Sequence, residues 1–363
     1  MTSAPVSVPA GPGRAGFHRL VVGRVDPLCD DAVAVTFDVP PEAHAAFAFL
    51  PGQSLTLRRD IDGVEQRRSY SICSPSGAAP RIGVRRVPGG AFSEWLVDAC
   101  RPGDVVEVGT PTGRFVCPPG TTGHHVLVAA GSGVTPLLSI AASLLAGSAE
   151  AEVTFVYANR RSDSAMFLDE LADLQDRHHD RFSLVHVLSR EPREVELFCG
   201  RLDGSRLARI LALLVEPAEV AGWWLCGPHP MLEEHRGTLV SLGVEPARIH
   251  RELFFVDAPP PPVVHHDGAE VGDHEVLCTL DGRTTSVRVP AATSVLDAAR
   301  RTRPDVPFAC RGGVCGTCRA RVVEGEAQMR RNFALEPEEV AAGFVLTCQA
   351  HPVTDRVAVD YDS

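Results

Sequence analysis

Short apolar runs rich in β-branched residues, separated by Gly, Pro, Asp and Ser, fill residues 17 to 118. They predict strands over Leu20 to Val25, Ala32 to Val39, Ser54 to Arg58, Arg67 to Ile72, Ile82 to Val87 and Val105 to Val108. Strands at this pace, with turn signals between them, predict an antiparallel β-barrel. One stretch departs from the pattern. Phe92, Trp95, Leu96 and Ala99 recur at helical spacing, so a helix over Phe92 to Ala99 is expected to cover one end of the barrel.

From residue 122 apolar strands alternate with longer helical segments: Val126 to Ala130 then 135 to 146, Val153 to Tyr157 then 165 to 175, Leu184 to Leu188 then 204 to 214, and Trp223 to Cys226 then 230 to 241. That rhythm predicts an α/β domain with a parallel sheet. Four consecutive prolines, Pro259 to Pro262, follow in a stretch without hydrophobic periodicity, the mark of a semi-rigid linker. Beyond it the pattern predicts strands Glu275 to Leu280 and Thr285 to Val289 around an Asp281-Gly282 turn, and a helix from Ser294 to Arg303. Strand Arg319 to Val323, a short helix near Pro337 to Ala342 and strand Val357 to Asp360 close the chain. The expected organisation is a flexible tail over 1–16, a β-barrel over 17–120, an α/β domain over 121–257, a linker over 258–272 and a last domain over 273–363.

Composition narrows the functional classes. At 363 residues with 44% hydrophobic content the chain can bury several cores. A formal charge of −11 argues against a nucleic-acid partner and leaves a protein partner open. Lys is absent, so every basic site is Arg, which reads as compositional bias. The first sixteen residues lack the basic start and apolar core of a signal peptide, and no apolar run approaches a membrane span. No membrane association and a cytoplasmic location are therefore expected. Among the eleven cysteines, seven (Cys29, Cys73, Cys100, Cys117, Cys199, Cys226 and Cys278) are scattered without framework spacing, which suits reduced thiols.

The other four carry chemistry. Cys310, Cys315, Cys318 and Cys348 have the C-x4-C-x2-C…C spacing of a plant-type [2Fe–2S] site. Three thiolates must converge from one short loop, and Gly312, Gly313 and Gly316 let that loop curl with its N–H groups free for sulfur. A single zinc ion is the alternative, in a non-enzymatic module whose α/β domain only binds nucleotide. Its usual signature is two paired-cysteine knuckles, and only Cys315 and Cys318 make such a pair.

Upstream, Arg68, Tyr70 and Ser71 lie on a barrel strand, with Arg68 and Tyr70 on one side and Ser71 on the other. Gly90 and Ser93 bring a glycine turn to a helix start, where N–H groups favour phosphate, although a plain helix cap reads the same way. The turn Gly131-Ser132-Gly133-Val134-Thr135-Pro136 follows the first strand of the α/β domain, the place where a parallel sheet offers N–H groups to a pyrophosphate. Pro136 stands where a full dinucleotide fingerprint has its third glycine, and a tight turn without ligand remains open. Cys226, Gly227 and Pro228 end a later strand of the same sheet. Arg160 and Arg161 end its second strand beside Ser162, which favours NADPH through a 2′-phosphate, with NADH the alternative.

Taken in order, Arg68-x-Tyr70-Ser71, Gly90-x-x-Ser93, Gly131-x-Gly133-x-Thr135-Pro136 and Cys226-Gly227-Pro228 resemble the ferredoxin–NADP reductase superfamily. With a plant-type ferredoxin attached, the chain from about 17 onward resembles the oxygenase reductases. This implies FAD on the barrel (FMN in some relatives), a pyridine nucleotide on the α/β domain and an α+β β-grasp ferredoxin domain. Arg68 is then expected at the flavin diphosphate, Tyr70 along the isoalloxazine, Ser71 near flavin N5, and Gly90 and Ser93 at the pyrophosphate. The resemblance places Gly131, Gly133 and Thr135 at the dinucleotide, Cys226 at the nicotinamide and Phe254 or its neighbour Phe255 near the flavin. Electrons are expected to leave for an oxygenase component. A finer resemblance, carried by Pro307 to Cys318, Asn332 to Pro337 and Ala341 to Ala350, is to the reductase components of phenylacetyl-CoA 1,2-epoxidases, which implies a di-iron partner. The alternative is a reductase for a Rieske-type hydroxylase of steroid or aromatic rings.

Overall fold

The structure is a computed structural model that describes residues 16–61, 63–254 and 273–363. The expected linker and nearly all of the expected tail lie outside the described residues.

Strands β1 (Phe17–Cys29), β2 (Ala32–Asp38), β3 (Ser54–Ile61), β4 (Val64–Ser71), β5 (Arg81–Arg85) and β6 (Val105–Gly109) form one antiparallel sheet in the order β4-β3-β6-β1-β2-β5. A bridge between Ile72 and Ile82 joins its two edges, so the sheet closes on itself as the expected barrel. Strand alternation fills the interior with Leu20, Val22, Val35, Phe37, Leu55, Leu57, Ile82 and Val108. The helix expected over Phe92 to Ala99 is a four-residue α1 (Ala91–Glu94) that widens into a π turn over Trp95–Ala99. Phe92 and Leu96 plug the barrel from it.

The second sheet is parallel, in the order β11-β10-β7-β8-β9. Its strands are β7 (Gly123–Ala130), β8 (Ala151–Asn159), β9 (Phe182–Leu188), β10 (Val220–Gly227) and β11 (Ile249–Leu253), with helices α2 (Val134–Gly147), α3 (Leu168–Arg177), α4 (Gly204–Leu214) and α5 (His229–Ser241) between them. Val126 to Ala129 are all fully buried, as a central parallel strand covered on both faces requires. The chain winds from β7 through β8 to β9, then crosses back to place β10 on the other side of β7. That reversal opens a crevice at the C-terminal ends of β7 and β10, where ligands of such sheets gather. Helix α3 starts at Leu168, three residues later than the periodicity predicts, because Phe167 takes a left-handed conformation (φ +59°) that helical geometry excludes.

In the third unit β12 (Asp273–Leu280), β13 (Arg283–Pro290), β14 (Arg319–Glu324), β16 (Phe344–Leu346) and β18 (Arg356–Asp360) make a mixed sheet, and β15 (Ala327–Met329) pairs with β17 (Ala350–Pro352). Helix α6 (Val295–Thr302) is capped by the Ser294 hydroxyl, which accepts from the Asp297 N–H, and buries Val295, Ala298 and Ala299. The short α7 (Pro337–Ala341) follows the cluster-type loop.

Candidate functional site

The crevice of the parallel sheet is built around two glycines with different duties. Gly131 has φ +55°, which a β-carbon disfavours, and its carbonyl accepts from the Tyr157 hydroxyl at 3.1 Å. Gly133 has ordinary dihedrals, but a β-carbon there would stand 2.1 Å from the Cys226 carbonyl oxygen. The turn and the end of β10 are thus in direct contact. Buried Thr135 spends its hydroxyl on the Ser132 carbonyl at 3.0 Å, fixing the turn. Arg85, which the motif reading passed over, reaches from the barrel to within 3.9 Å of the Gly131 β-position. Its signal in the sequence is only one Arg of many.

At the ends of β8 and β9 the exposed Arg160 and Arg190 are brought together, the Arg190 N–H donating to the Arg160 carbonyl at 2.8 Å. Arg161 pairs with Asp163, and both Ser162 donors go to Glu191 at 2.8 Å. Of the expected trio, Arg160 alone stays open.

On the barrel side, β4 points exposed Arg68 and half-buried Tyr70 one way and buried Ser71 the other, as strand alternation requires. Tyr70 packs against Phe92 with ring centres 6.2 Å apart. The Ser93 hydroxyl accepts from the Val87 N–H and donates to the Gly90 carbonyl, closing the Gly90 turn. Ser71 donates to Glu252 Oε2 at 3.0 Å across 181 residues of sequence. Glu252 sits beside Cys226 in the register of β10 and β11, so Ser71, Glu252 and Cys226 meet where the barrel faces the crevice. Phe254 packs against the core that includes Cys226 and Cys73.

Burial governs the protons of this site. It pushes the Glu252 carboxyl up to about 8, opposed by the Ser71 hydrogen bond, and holds the Cys226 thiol neutral, with Glu252 adding to the effect. Because the folded value of Glu252 lies above the ordinary one, its contribution to stability is complete below about pH 4.5 and is lost once pH passes 8. Glu252→Gln is therefore expected to flatten the fall in Tm across that window, where the wild-type carboxyl loses about 1.4 kcal/mol per pH unit. Equal slopes in the two proteins would contradict a neutral buried carboxyl. Sequence reading meets Glu252 only within Glu252-Leu253-Phe254, which resembles the end of the reductase domain, and gives it no role of its own.

The four cluster-type cysteines lie on one loop and its neighbour. Cys310 and Cys315 are close enough for each thiol to shift the other's titration, and so are Cys318 and Cys348. Among the described residues no three His, Cys, Asp or Glu side chains converge as one metal ion requires. Four cysteine sulfurs from one loop and its neighbour, with the Gly312 N–H aimed at Cys310 and the Gln349 amide at Cys348, are a donor set that fits a [2Fe–2S] cluster. The Cys315 thiol and the N–H groups of Gly312 and Val314 favour the Cys310 thiolate, with the Gly312 nitrogen 3.3 Å from its sulfur. The Cys318 thiol, Gly313 and Gln349 favour that of Cys348. Gly313 (φ +80°), Gly316 (φ +68°) and Arg311 (φ +56°) take the left-handed turns, whereas Gly312 does not.

Three family models match stretches of the chain. An oxidoreductase FAD-binding domain model matches residues 20–117, an oxidoreductase NAD-binding domain model 127–236 and a 2Fe-2S iron-sulfur cluster binding domain model 278–353. The chain is 39% identical over 351 residues to a component polypeptide of the 1,2-phenylacetyl-CoA epoxidase from Escherichia coli K12, covering 96% of this chain and 98% of that protein. It is 34% identical to the ferredoxin reductase component of 3-ketosteroid-9-alpha-monooxygenase from Rhodococcus rhodochrous, covering 94% and 96%. In fold it is similar to phthalate dioxygenase reductase, with a TM-score of 0.62 at 24% identity over 95% of this chain and 98% of that one. No helix among the described residues is long and apolar enough to cross a membrane. With FAD, pyridine nucleotide and [2Fe–2S] sites in one polypeptide, the chain belongs to the oxygenase reductases of the ferredoxin–NADP reductase superfamily.

Proposed function

We propose that this oxidoreductase takes electrons from NADPH and delivers them, in the cytoplasm, to the di-iron component of a phenylacetyl-CoA epoxidase. When bound, FAD accepts a hydride's two electrons from the nicotinamide, and the [2Fe–2S] cluster carries them onward one at a time. The chain's own residues supply position and proton control. In this reading Arg68 binds the flavin diphosphate, Tyr70 flanks the isoalloxazine, and Gly90 and Ser93 shape the pyrophosphate turn. Ser71 and neutral Cys226 frame the point of hydride transfer, and Glu252 holds a proton on the Ser71 hydrogen bond. Gly131, Gly133 and Thr135 seat the dinucleotide with Gly227, while Phe254 closes the flavin side. Cys310, Cys315, Cys318 and Cys348 hold the cluster. The units divide at 17–120, 121–257 and 273–363, joined by 258–272.

One observation carries the electron route: the cluster loop is seated on the reductase crevice. The Phe333 N–H donates to Gly313 at 3.1 Å, and the Phe333 ring meets His229, two residues beyond Gly227, edge-on at 5.0 Å. Exposed Arg160 and Arg190 support the NADPH preference through a 2′-phosphate. The epoxidase assignment rests on the 39% identity and the steroid-type alternative on the 34% identity. Reconstitution separates them. The purified protein is expected to drive turnover of the epoxidase's di-iron component with NADPH, and more weakly with NADH at matched concentration. Turnover with a Rieske hydroxylase alone would assign the second partner.

A further inference from the structure

The cysteine loop touches both upstream units through aromatic side chains at its margins. Phe308, two residues before Cys310, is buried at 3% exposure, yet the guanidinium over its ring at 4.1 Å belongs to Arg67 of barrel strand β4. Arg67 is itself only 4% exposed. Arg300 covers the same ring at 4.4 Å. Glu65 of the barrel pairs with Arg67 at 3.0 Å and with Arg300 at 3.5 Å, so one carboxylate ties the two units at this point. On the far side of the loop, Phe333 and Val314 pack against the apolar core of the parallel sheet, which includes Leu225, Leu232 and Leu253.

These contacts are short in covalent terms. Arg67 precedes Arg68 and Tyr70 on the strand read as the flavin site, and Phe308 precedes Cys310. Phe333 is bonded to Gly313 inside the loop and seated on the first residue of α5, just beyond the Cys226-Gly227 turn. Buried cation–π contacts are directional, and here a desolvated Arg supplies one between two units. A third tie runs from Arg114 of the barrel side to Glu339 of α7, which also pairs with Arg319.

We propose that Arg67, Phe308 and Phe333 are positioning residues. They clamp the cysteine loop across both halves of the crevice and so set the separation and orientation through which electrons pass from flavin to cluster. The inference rests on the reading of the four cysteines as cluster ligands. Two electrons enter with each hydride from NAD(P)H, two single-electron transfers cross the clamp, and the oxidised oxygenase component takes up both.

The test uses the full chain with both cofactors, as Arg67→Met and Phe333→Ala, since Phe308 lies in the last domain's own core. Anaerobic stopped-flow mixing with NADPH reads flavin bleaching and cluster reduction separately, and small-angle scattering reads the resting dimensions. Flavin bleaching is expected to stay within about twofold, while cluster reduction slows by about tenfold or more, as a displacement on the order of an ångström implies. The radius of gyration is expected to rise, and the cluster's paramagnetic resonance spectrum to remain that of the parent. Unchanged cluster reduction in both variants would overturn the clamp, as would a slowed rate accompanied by an altered cluster spectrum. Absence of any cluster signal from the parent protein would instead sink the reading of the cysteines.

Discussion

Cys315→Ser is expected to abolish electron delivery to acceptors that need the cluster while leaving NAD(P)H-dependent flavin bleaching within about twofold of the parent. The split follows from where the residue sits. In the proposed assignment Cys315 is one of four thiolates that would hold the cluster, so its loss would leave the site one ligand short and remove the neighbour that favours the Cys310 thiolate. Serine keeps the shape but presents a hydroxyl whose proton is far harder to remove than a thiol's, and its oxygen is a poor match for iron among sulfides. Loss of even an outer partner costs a metal site about 10–100-fold, so loss of a ligand is expected to exceed about 100-fold in cluster content or transfer rate. The nucleotide turn and Ser71–Glu252 lie on other units and do not share a hydrogen bond with Cys315. Visible and paramagnetic resonance spectra read the cluster, and anaerobic bleaching reads the flavin. A parental cluster spectrum in the variant, or flavin bleaching lost in the same proportion, would defeat the assignment of separate sites.

Legibility of the chain follows the range of the interactions. Helix α4 was readable to the residue because its apolar stripe is local. The cysteine spacing and the glycine turn were readable for the same reason. Strand β11 was not: Ile249-His250-Arg251-Glu252-Leu253 carries three polar residues in five, and pairing with β10 overrides its composition. Strands β15, β16 and β17 have three residues each, too few to show a period. The Ser71–Glu252 bond joins positions 181 apart, so no window contains it. Arg67 was visible only as one of a basic pair. Strand alternation puts the two on opposite sides, but the Phe308 ring that Arg67 meets arrives only with the third unit.

Gly133→Ala is expected to raise KM for NAD(P)H by about tenfold or more and to lower stability by about 1–3 kcal/mol, the usual cost of forcing a methyl into a packed site. Sequence reading takes Gly133 as a phosphate-cradling glycine, and its dihedrals do not demand glycine at all. Its reason is contact: a β-carbon would meet the Cys226 carbonyl oxygen at 2.1 Å and carbon at 2.5 Å, both backbone atoms with no rotamer to move aside. Either the Gly131–Gly133 turn lifts from β10 or β10 shifts, and both displace Cys226 relative to the turn. Gly131→Ala gives the contrasting case. Space at Gly131 is open, with Arg85 the nearest neighbour at 3.9 Å, but φ +55° imposes a left-handed cost of roughly 1–2 kcal/mol. Its effect is expected mainly in Tm, with cluster spectrum and flavin content unchanged in both variants. Nucleotide titration and thermal unfolding separate the two mechanisms. Parental KM and Tm in Gly133→Ala would show that the turn and β10 can part freely, and the crevice would then not be held by that contact.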